Sequence, residues 1–387
     1  MINNGFYISN IDDRVVKGYL PKVLGQVQSF INSDIKMTLL RFKGGCVVLR
    51  RGNSESIKSQ PDEIVSEVMS PIRKRIRLLV IAYRIIQTEL SNFIYIRYTP
   101  FDPLLLFFLI LIKIRVKRKT IVAVEIPTYP YDRQYLSGGI LSFSALQLFF
   151  DYCTRYFLFL VVNRFVIVNC SSPSVFNVPV SSITNGVSID DFALVPNLGK
   201  SGDPINFVFV GNAGVWHGLD RLITGLSQFY GSGLDSSLIK INLSIVGGGS
   251  SNDIRNLCLK YEVQDYVTFV GPLDGAGLDE VMKLATVGVG VLASHRLSLE
   301  KFSPLKHREY CARGLPFIYD GNDNGFSDAE FAMSVGLCEK PIDIIGVIRF
   351  VDRMRSENDL PQKIRSYAKC RFDWSDIMAE VISDVSQ

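Results

Sequence analysis

Short β-branched runs alternate with longer stretches of helical period along the whole chain, and the alternation occurs twice. That pattern predicts parallel sheets covered by helices on both faces. In the first half the expected strands lie near Phe6 to Ser9, Met37 to Phe42, Phe93 to Tyr98, Thr120 to Ile126 and Phe165 to Cys170. In the second they lie near Asn206 to Gly211, Ile241 to Gly247, Tyr266 to Gly271, Val287 to Leu292 and Leu315 to Tyr319. With 387 residues, 47% of them hydrophobic, the chain is long enough for two cores. The expected class is α/β, with two doubly wound Rossmann-like domains facing across a cleft. Residues 1–185 form the first and 186–372 the second. A connection rich in Ser, Pro and Asn, Ser171 to Asp203, links them and contains Asn185-Gly186-Val187.

Ligands of such sheets bind outside the carboxyl ends of the strands. The polar segments of the second half fall at those ends: Asn212 to Gly218, Gly247 to Ser250 (with Gly248), Pro272 to Gly275, and Ser294 to Ser303. The three histidines, His217, His295 and His307, all lie in or beside these segments. Next comes a helix with Ser303 as expected N-cap, Pro304 and Leu305 in its first turn, and Gly314 as C′ terminator. Its amino end carries free N–H groups and partial positive charge, which suit a phosphate. Lys306, Glu309, Tyr310 and Arg313 recur at i, i+3, i+4 and i+7 and line one side. A cation near the tip and a carboxylate one turn later match a nucleoside diphosphate, with the carboxylate accepting from both ribose hydroxyls. The same residues also describe a capped surface helix with solvated charges.

The seven cysteines show no metal-ligand spacing, so no metal or disulfide framework is expected and the thiols read as free in a reducing cytoplasm. The opening residues, MINNGFYISNIDDR, lack the basic start and apolar core of a signal peptide. Charge is uneven: from Ser70 to Lys119 eleven Lys or Arg stand against Glu89 and Asp102. The nine apolar residues Leu104 to Ile112 fall short of the roughly 20 needed to span a bilayer, and predict a helix packed on a sheet. Arg73, Lys74, Arg75 and Arg77, followed by Leu78 to Ile81, predict attraction to an anionic membrane surface. Nucleic acid is not the expected partner, because aliphatic rather than stacking aromatic residues interleave the cations.

The blocks NFVFVGNAGVWHGLDRLITGL, LSIVGGG, YVTFVGPL, ATVGVGVLASHR, SPLKHREYCARGLPFI and FDWSDIM, in this order and spacing, resemble the retaining glycosyltransferases of family 4 (group 1), which have the GT-B architecture. In the first half KGYLPKVLGQVQSF, YIRYTPFDP, AVEIPTYPYD and SSITNGVSIDDF resemble the corresponding segments, especially those of the branch that builds bacterial surface polysaccharides such as capsule. The resemblance implies transfer of a sugar from a nucleotide-sugar donor to a saccharide acceptor, lipid-linked in this branch, with retention and without a metal or other cofactor. It also implies a closing helix, 373–387, that crosses back to the first domain, where Trp374 packs.

Carried over residue by residue, Glu309 matches the second glutamate of the family's E-x7-E pattern, which holds the ribose. The first would fall at Lys301, with Glu300 one place out of register. The places of the family's phosphate-binding arginine and lysine are held by Asn212 and His217. Lys306, Arg308 and the helix tip are expected to replace them, while His217 donates a hydrogen bond. Arg221 either reaches in or is solvated. Gly18 matches the glycine loop near the donor phosphates, and backbone groups around Gly271 to Leu273 are expected at the base. Glu125 takes the place where many members have a histidine. It either serves the acceptor hydroxyl as orienter or base, or pairs with Arg97 or Arg133. The expected protein is thus a cytoplasmic glycosyltransferase peripheral to the inner membrane face. A non-catalytic nucleotide-binding homologue and a nucleotide-sugar epimerase are the alternatives. Base, sugar, acceptor linkage and oligomeric state leave no trace in the sequence.

Overall fold

The computed structural model describes residues 2–12, 19–52, 56–67, 71–98, 103–116, 120–132, 143–196, 198–232, 239–248, 251–297 and 302–386. It divides into two units: residues 1–184 with 374–387, and residues 185–373.

The first unit is built on a nine-stranded sheet. Its strands are β1 (Asn4–Asp12), β2 (Lys36–Lys43), β3 (Cys46–Gly52), β4 (Glu63–Glu67), β5 (Phe93–Arg97), β6 (Ile121–Ile126), β7 (Arg164–Val168), β8 (Ser174–Val175) and β9 (Val178–Ile183). They lie in the order β4-β3-β2-β1-β5-β6-β7-β9-β8. The strands from β2 to β9 across the middle are parallel, as the alternation predicts, whereas β3, β4 and β8 add antiparallel edges. Sequence reading missed β3 and β4, although the Gly44-Gly45 pair between two β-branched runs is a hairpin signal. It also took β8 and β9 for connector. β9 in fact pairs with β7, and the units change at Thr184/Asn185.

Helices α1 (Leu20–Asn32), α2 (Pro71–Thr88), α3 (Pro103–Arg115) and α4 (Phe143–Thr154) cover this sheet, with a 3₁₀ turn at Arg155–Leu160 after α4. Leu78, Leu79, Leu105, Phe108, Leu109, Ile112, Leu148 and Leu158 share one core with Ile94, Ile96, Val122, Val124, Phe165 and Ile167 of the strands. The other face holds Tyr7, Phe30, Phe93 and Tyr95 under Val23, Val27, Trp374, Met378 and Val381. Trp374 thus packs in the first unit. Among the described residues no helix is long and apolar enough to cross a membrane.

The second unit contains β10 (Ile205–Val210), β11 (Ile241–Val246), β12 (Val267–Gly271), β13 (Val287–Val289), β14 (Phe317–Tyr319) and β15 (Ala332–Ser334). All pair in parallel, in the order β12-β11-β10-β13-β14-β15, the 3-2-1-4-5-6 order of a doubly wound sheet. Its helices are α5 (Leu219–Gly231), α6 (Ser251–Lys260), α7 (Gly275–Lys283), α8 (Leu305–Ala312), α9 (Ile344–Arg355) and α10 (Leu360–Phe372). The last helix, α11 (Trp374–Ser386), follows in the chain but belongs to the first unit. Order reverses between β10 and β13, which makes their carboxyl ends the switch point of this sheet.

Candidate functional site

Tyr310 of α8 occupies this switch point. Its fully buried hydroxyl accepts the N–H of Val210 (3.2 Å) and lies 3.2 Å from the carbonyl of Val208 and 3.1 Å from that of Val289, so one side chain spans β10 and β13. One turn earlier on the same side is Lys306. Its Nζ lies 3.7 Å from the centre of the Phe209 ring and, among the described residues, is buried without a hydrogen-bond partner. Burial pushes this amine well below the ordinary lysine range, and Glu309 only partly restores it. Burial without a hydrogen-bond partner among the described residues disfavours the charged form of this amine, and an anion beside it would favour that form.

The turns above Lys306 are tightly built. A Cβ placed on Gly211 would stand 3.5 Å from Nζ, one on Gly248 would lie 3.6 Å from Oδ1 of Asn212, and one on Gly247 would collide with the carbonyl oxygen of Gly211 at 2.2 Å. Gly247 also has φ +141°, which L side chains rarely adopt. Gly247→Ala should therefore cost at least the roughly 1–3 kcal/mol of a strained backbone residue and lower the thermal midpoint. A melting curve indistinguishable from wild type would contradict the close approach of these two turns.

His217 lies beneath the same turns. Its Nδ1 accepts the Gly214 N–H at 3.0 Å, so the neutral ring carries its proton on Nε2 as a donor. Burial first, then Lys306 and His307, lower its pKa to about 2, which keeps the ring neutral. The backbone nearby is held by Leu292 N–H to the carbonyl of His217 (3.2 Å) and Ala293 N–H to that of Trp216 (3.1 Å). Asn212 is exposed at the rim.

The expected phosphate cation Arg308 has a different task. It is buried, both its terminal nitrogens engage Asp323, its Nε donates to the Asn185 carbonyl (3.1 Å), and its guanidinium lies 4.6 Å from the Phe372 ring. Being two residues after Lys306 turns it about 200° around the helix, away from the strand ends. His307 joins the same acid: its Nδ1–H donates to Asp323 (2.9 Å), while its Nε2 accepts the Val291 N–H (3.0 Å). Arg221 is also structural, since its buried guanidinium donates to the carbonyls of Lys340, Leu292, Gly336 and Val335. His295 sits in a surface network with Glu339, Arg296 and Asp220.

Glu309 is partly buried, and its carboxylate meets Arg313 at 3.1 Å, which in turn meets Asp279 at 2.6 Å. Burial raises the Glu309 pKa, against the pull of Arg313. Helix α8 begins at Leu305, with Pro304 as its N-cap residue and no side-chain cap, rather than at Ser303. Ser303 is engaged by Asn185, whose N–H donates to Oγ (3.1 Å) and whose Nδ2 donates to the carbonyl (2.6 Å). The carboxyl end follows expectation. Gly314 has φ +73°, its N–H bonds the Cys311 carbonyl (3.0 Å) and that of Leu315 bonds Tyr310 (2.9 Å), a Schellman stop. Gly271, at the end of β12, accepts the Gly247 N–H at 2.9 Å, and Leu273 packs on the core.

In the first unit Glu125 is completely buried and bound by Lys22 (2.9 Å), Gln26 Nε2 (2.9 Å), the Tyr95 hydroxyl (2.9 Å) and that of Tyr19 (3.5 Å). Burial opposes its ionisation, but Lys22 and Arg97 outweigh burial and hold the carboxyl below the usual range. A carboxylate enclosed by four donors is a poor base, and the ion pair reading applies, with Lys22 as direct partner. Gly18, Arg133, Glu300 and Lys301 lie outside the described residues. Among the described residues no cluster of His, Cys, Asp and Glu is arranged to hold a metal ion.

Residues 191–371 match the family model described as glycosyl transferases group 1. No curated protein matches the chain. Among solved structures, sucrose-phosphate synthase from Thermosynechococcus elongatus is similar over 98% of both chains, with 15% identity and a TM-score of 0.64. A glycosyltransferase from Rickettsia africae is similar over 99% of this chain and 98% of its own, with 11% identity and a TM-score of 0.62. WaaG, a glycosyltransferase involved in lipopolysaccharide biosynthesis, is similar over 99% of both chains, with 11% identity and a TM-score of 0.59. By family model over most of its second unit, and by fold over nearly its whole length, the chain is similar to the group 1 glycosyl transferases and has the GT-B architecture.

Proposed function

We propose that the protein is a retaining, metal-independent glycosyltransferase of family 4. It moves a sugar from a nucleotide-sugar donor to a lipid-linked saccharide acceptor in surface-polysaccharide assembly, at the cytoplasmic face of the membrane. The observation that carries this reading is the Nζ of Lys306 at the switch point of the second sheet, buried and, among the described residues, without a hydrogen-bond partner. Its chemistry asks for an anion that excludes water, and a diphosphate supplies one. The first turn of α8 adds the partial charge of a helix start, and Nε2–H of His217 adds a neutral donor.

In the proposed reaction the acceptor oxygen attacks the anomeric carbon on the face that the diphosphate leaves. The bond from that carbon to the phosphate oxygen breaks, the new glycosidic bond forms, and the acceptor proton passes to the departing diphosphate. Lys306 stabilises the charge that grows there. Glu309, held by Arg313, accepts from the ribose hydroxyls. The commitment of Arg308 to Asp323 leaves Lys306 as the principal side-chain cation of this arrangement and favours, as second reading, a homologue that binds nucleotide without turnover.

Isothermal titration with uridine, guanosine, adenosine and cytidine diphosphates tests the site. At least one should bind, and Glu309→Ala should weaken it by roughly 1–3 kcal/mol, the consequence of unpaired hydrogen-bonding groups. Absence of binding by all four defeats the donor-site reading, and unchanged affinity in the variant defeats the ribose assignment. Turnover with a nucleotide-sugar panel separates enzyme from binding protein.

A further inference from the structure

The outer surface of the first unit is apolar where a soluble layer should be polar. Helices α2, α3 and α4 each precede one of the parallel strands β5, β6 and β7 and cover one face of the sheet side by side. Their inward residues fill the core, and many of their outward residues are large and apolar. Phe107 on α3 is 60% exposed, Phe149 on α4 61%, and Phe157 and Leu160 in the following turn 55% and 61%. Phe159, Tyr152 and Tyr156 extend this surface, and Ile76 and Val80 continue it onto α2. Monomeric proteins seldom leave so many large apolar side chains of neighbouring elements in water.

Charge selects the occupant. These helices carry Arg73, Lys74, Arg75, Arg77, Arg84, Lys113 and Arg115 in their sequences, and one acid, Asp151, while Arg155 in the turn is buried and paired with Asp132 and Asp151. Asp151 is fully buried and bonded to the hydroxyls of Tyr98 and Tyr131, so it presents no charge outward. Exposed aromatic rings on elements whose exposed charges are cations, with their one acid buried, complement an anionic headgroup layer above hydrocarbon. We propose that this face, formed by α3, α4 and the 155–160 turn with α2 at its basic edge, inserts into the interface of an anionic bilayer. The inference deepens the membrane-associated reading above and rests on it. It assigns the anchoring to inserted rings, with charge as an aid, so binding once formed survives salt that screens the cations.

Flotation with phosphatidylcholine vesicles, with and without 30% phosphatidylglycerol, at about 0.1 and 0.5 M salt tests this; at the higher strength the screening length is only a few ångströms. The protein should float with anionic vesicles at both salt concentrations. Phe149→Ser, Phe157→Ser and Phe159→Ser combined should lower partitioning by on the order of a hundredfold, from apolar burial lost at three rings. The melting temperature and nucleoside diphosphate affinity of the triple variant control for folding. Should it fail to fold, Phe157→Trp alone serves, because brominated lipids should quench its emission beyond that of wild type. Flotation of the triple variant equal to wild type, release of wild type by salt, or absence of the added quenching would overturn the proposal. So would a wild-type dimer that does not float and that the triple variant dissociates, which would assign the face to a second copy. Flotation as expected without any nucleotide binding would leave the insertion face standing and remove the donor-site reading.

Discussion

Replacing Lys306 by Met is expected to lower turnover by roughly 10²–10³-fold while changing donor affinity much less. That is the loss seen when one preorganised group facing developing charge is removed. Met keeps the length of the side chain over Phe209 and removes only the amine. The same variant should gain stability when no ligand is present, because an unpaired buried amine disappears. The pH dependence has a definite sign. The folded-state pKa of Lys306 lies below that of an unfolded lysine, so between the two values the unfolded chain binds the extra proton. Stability of the wild type therefore rises with pH until the ordinary lysine value, about 10.4, and this contribution is absent in Lys306→Met. Donor binding should restore the proton to Nζ. Titration of a nucleoside diphosphate in buffers of different ionisation enthalpy should show proton uptake in wild type and less in the variant. Equal proton uptake in the two proteins would exclude Lys306 as the responsive group.

Asp323→Ala should be the most damaging substitution for stability, at about 3–5 kcal/mol by urea denaturation, the cost of stranding one partner of a buried ion pair. Arg308 would lose both oxygens and His307 the acceptor of its Nδ1–H. Burial disfavours ionised Asp323, but Arg308 and His307 outweigh it, and the folded pKa lies below that of a free carboxyl. Its contribution is present above the unfolded value, about 3.9, and is lost as pH falls through the folded one. Arg308→Met combined with Asp323→Leu should recover much of the loss, since an apolar pair leaves no charge stranded. A single Asp323→Ala change costing under about 1 kcal/mol would refute the structural role given to this pair.

The layers of the fold were legible because period 2 and period 3.6 segregate cleanly along this chain, and all ten expected strands occur. The edge strands β4 and β8 were not legible, because short edge strands resemble turns until a neighbour supplies their hydrogen bonds, whereas the Gly44-Gly45 signal for β3 was there to be read. At the site, helical spacing correctly aligned Lys306 with Tyr310 but was blind to partners distant in sequence. Asp323 claims Arg308 and His307, Asn185 claims Ser303, and Lys22 claims Glu125, each across an interval no periodicity records. Charged residues announce their type in a sequence, whereas whether a charge is already neutralised is decided by tertiary packing.

Helix α11 carries a consequence for biosynthesis. Trp374, Met378 and Val381 complete the core on one face of the first sheet, yet they are translated after the whole second unit. During translation the second unit can close its core while the first still exposes Tyr7, Phe30 and Tyr95 on that face. The opening half of the polypeptide thus completes its core only after α11 has been made.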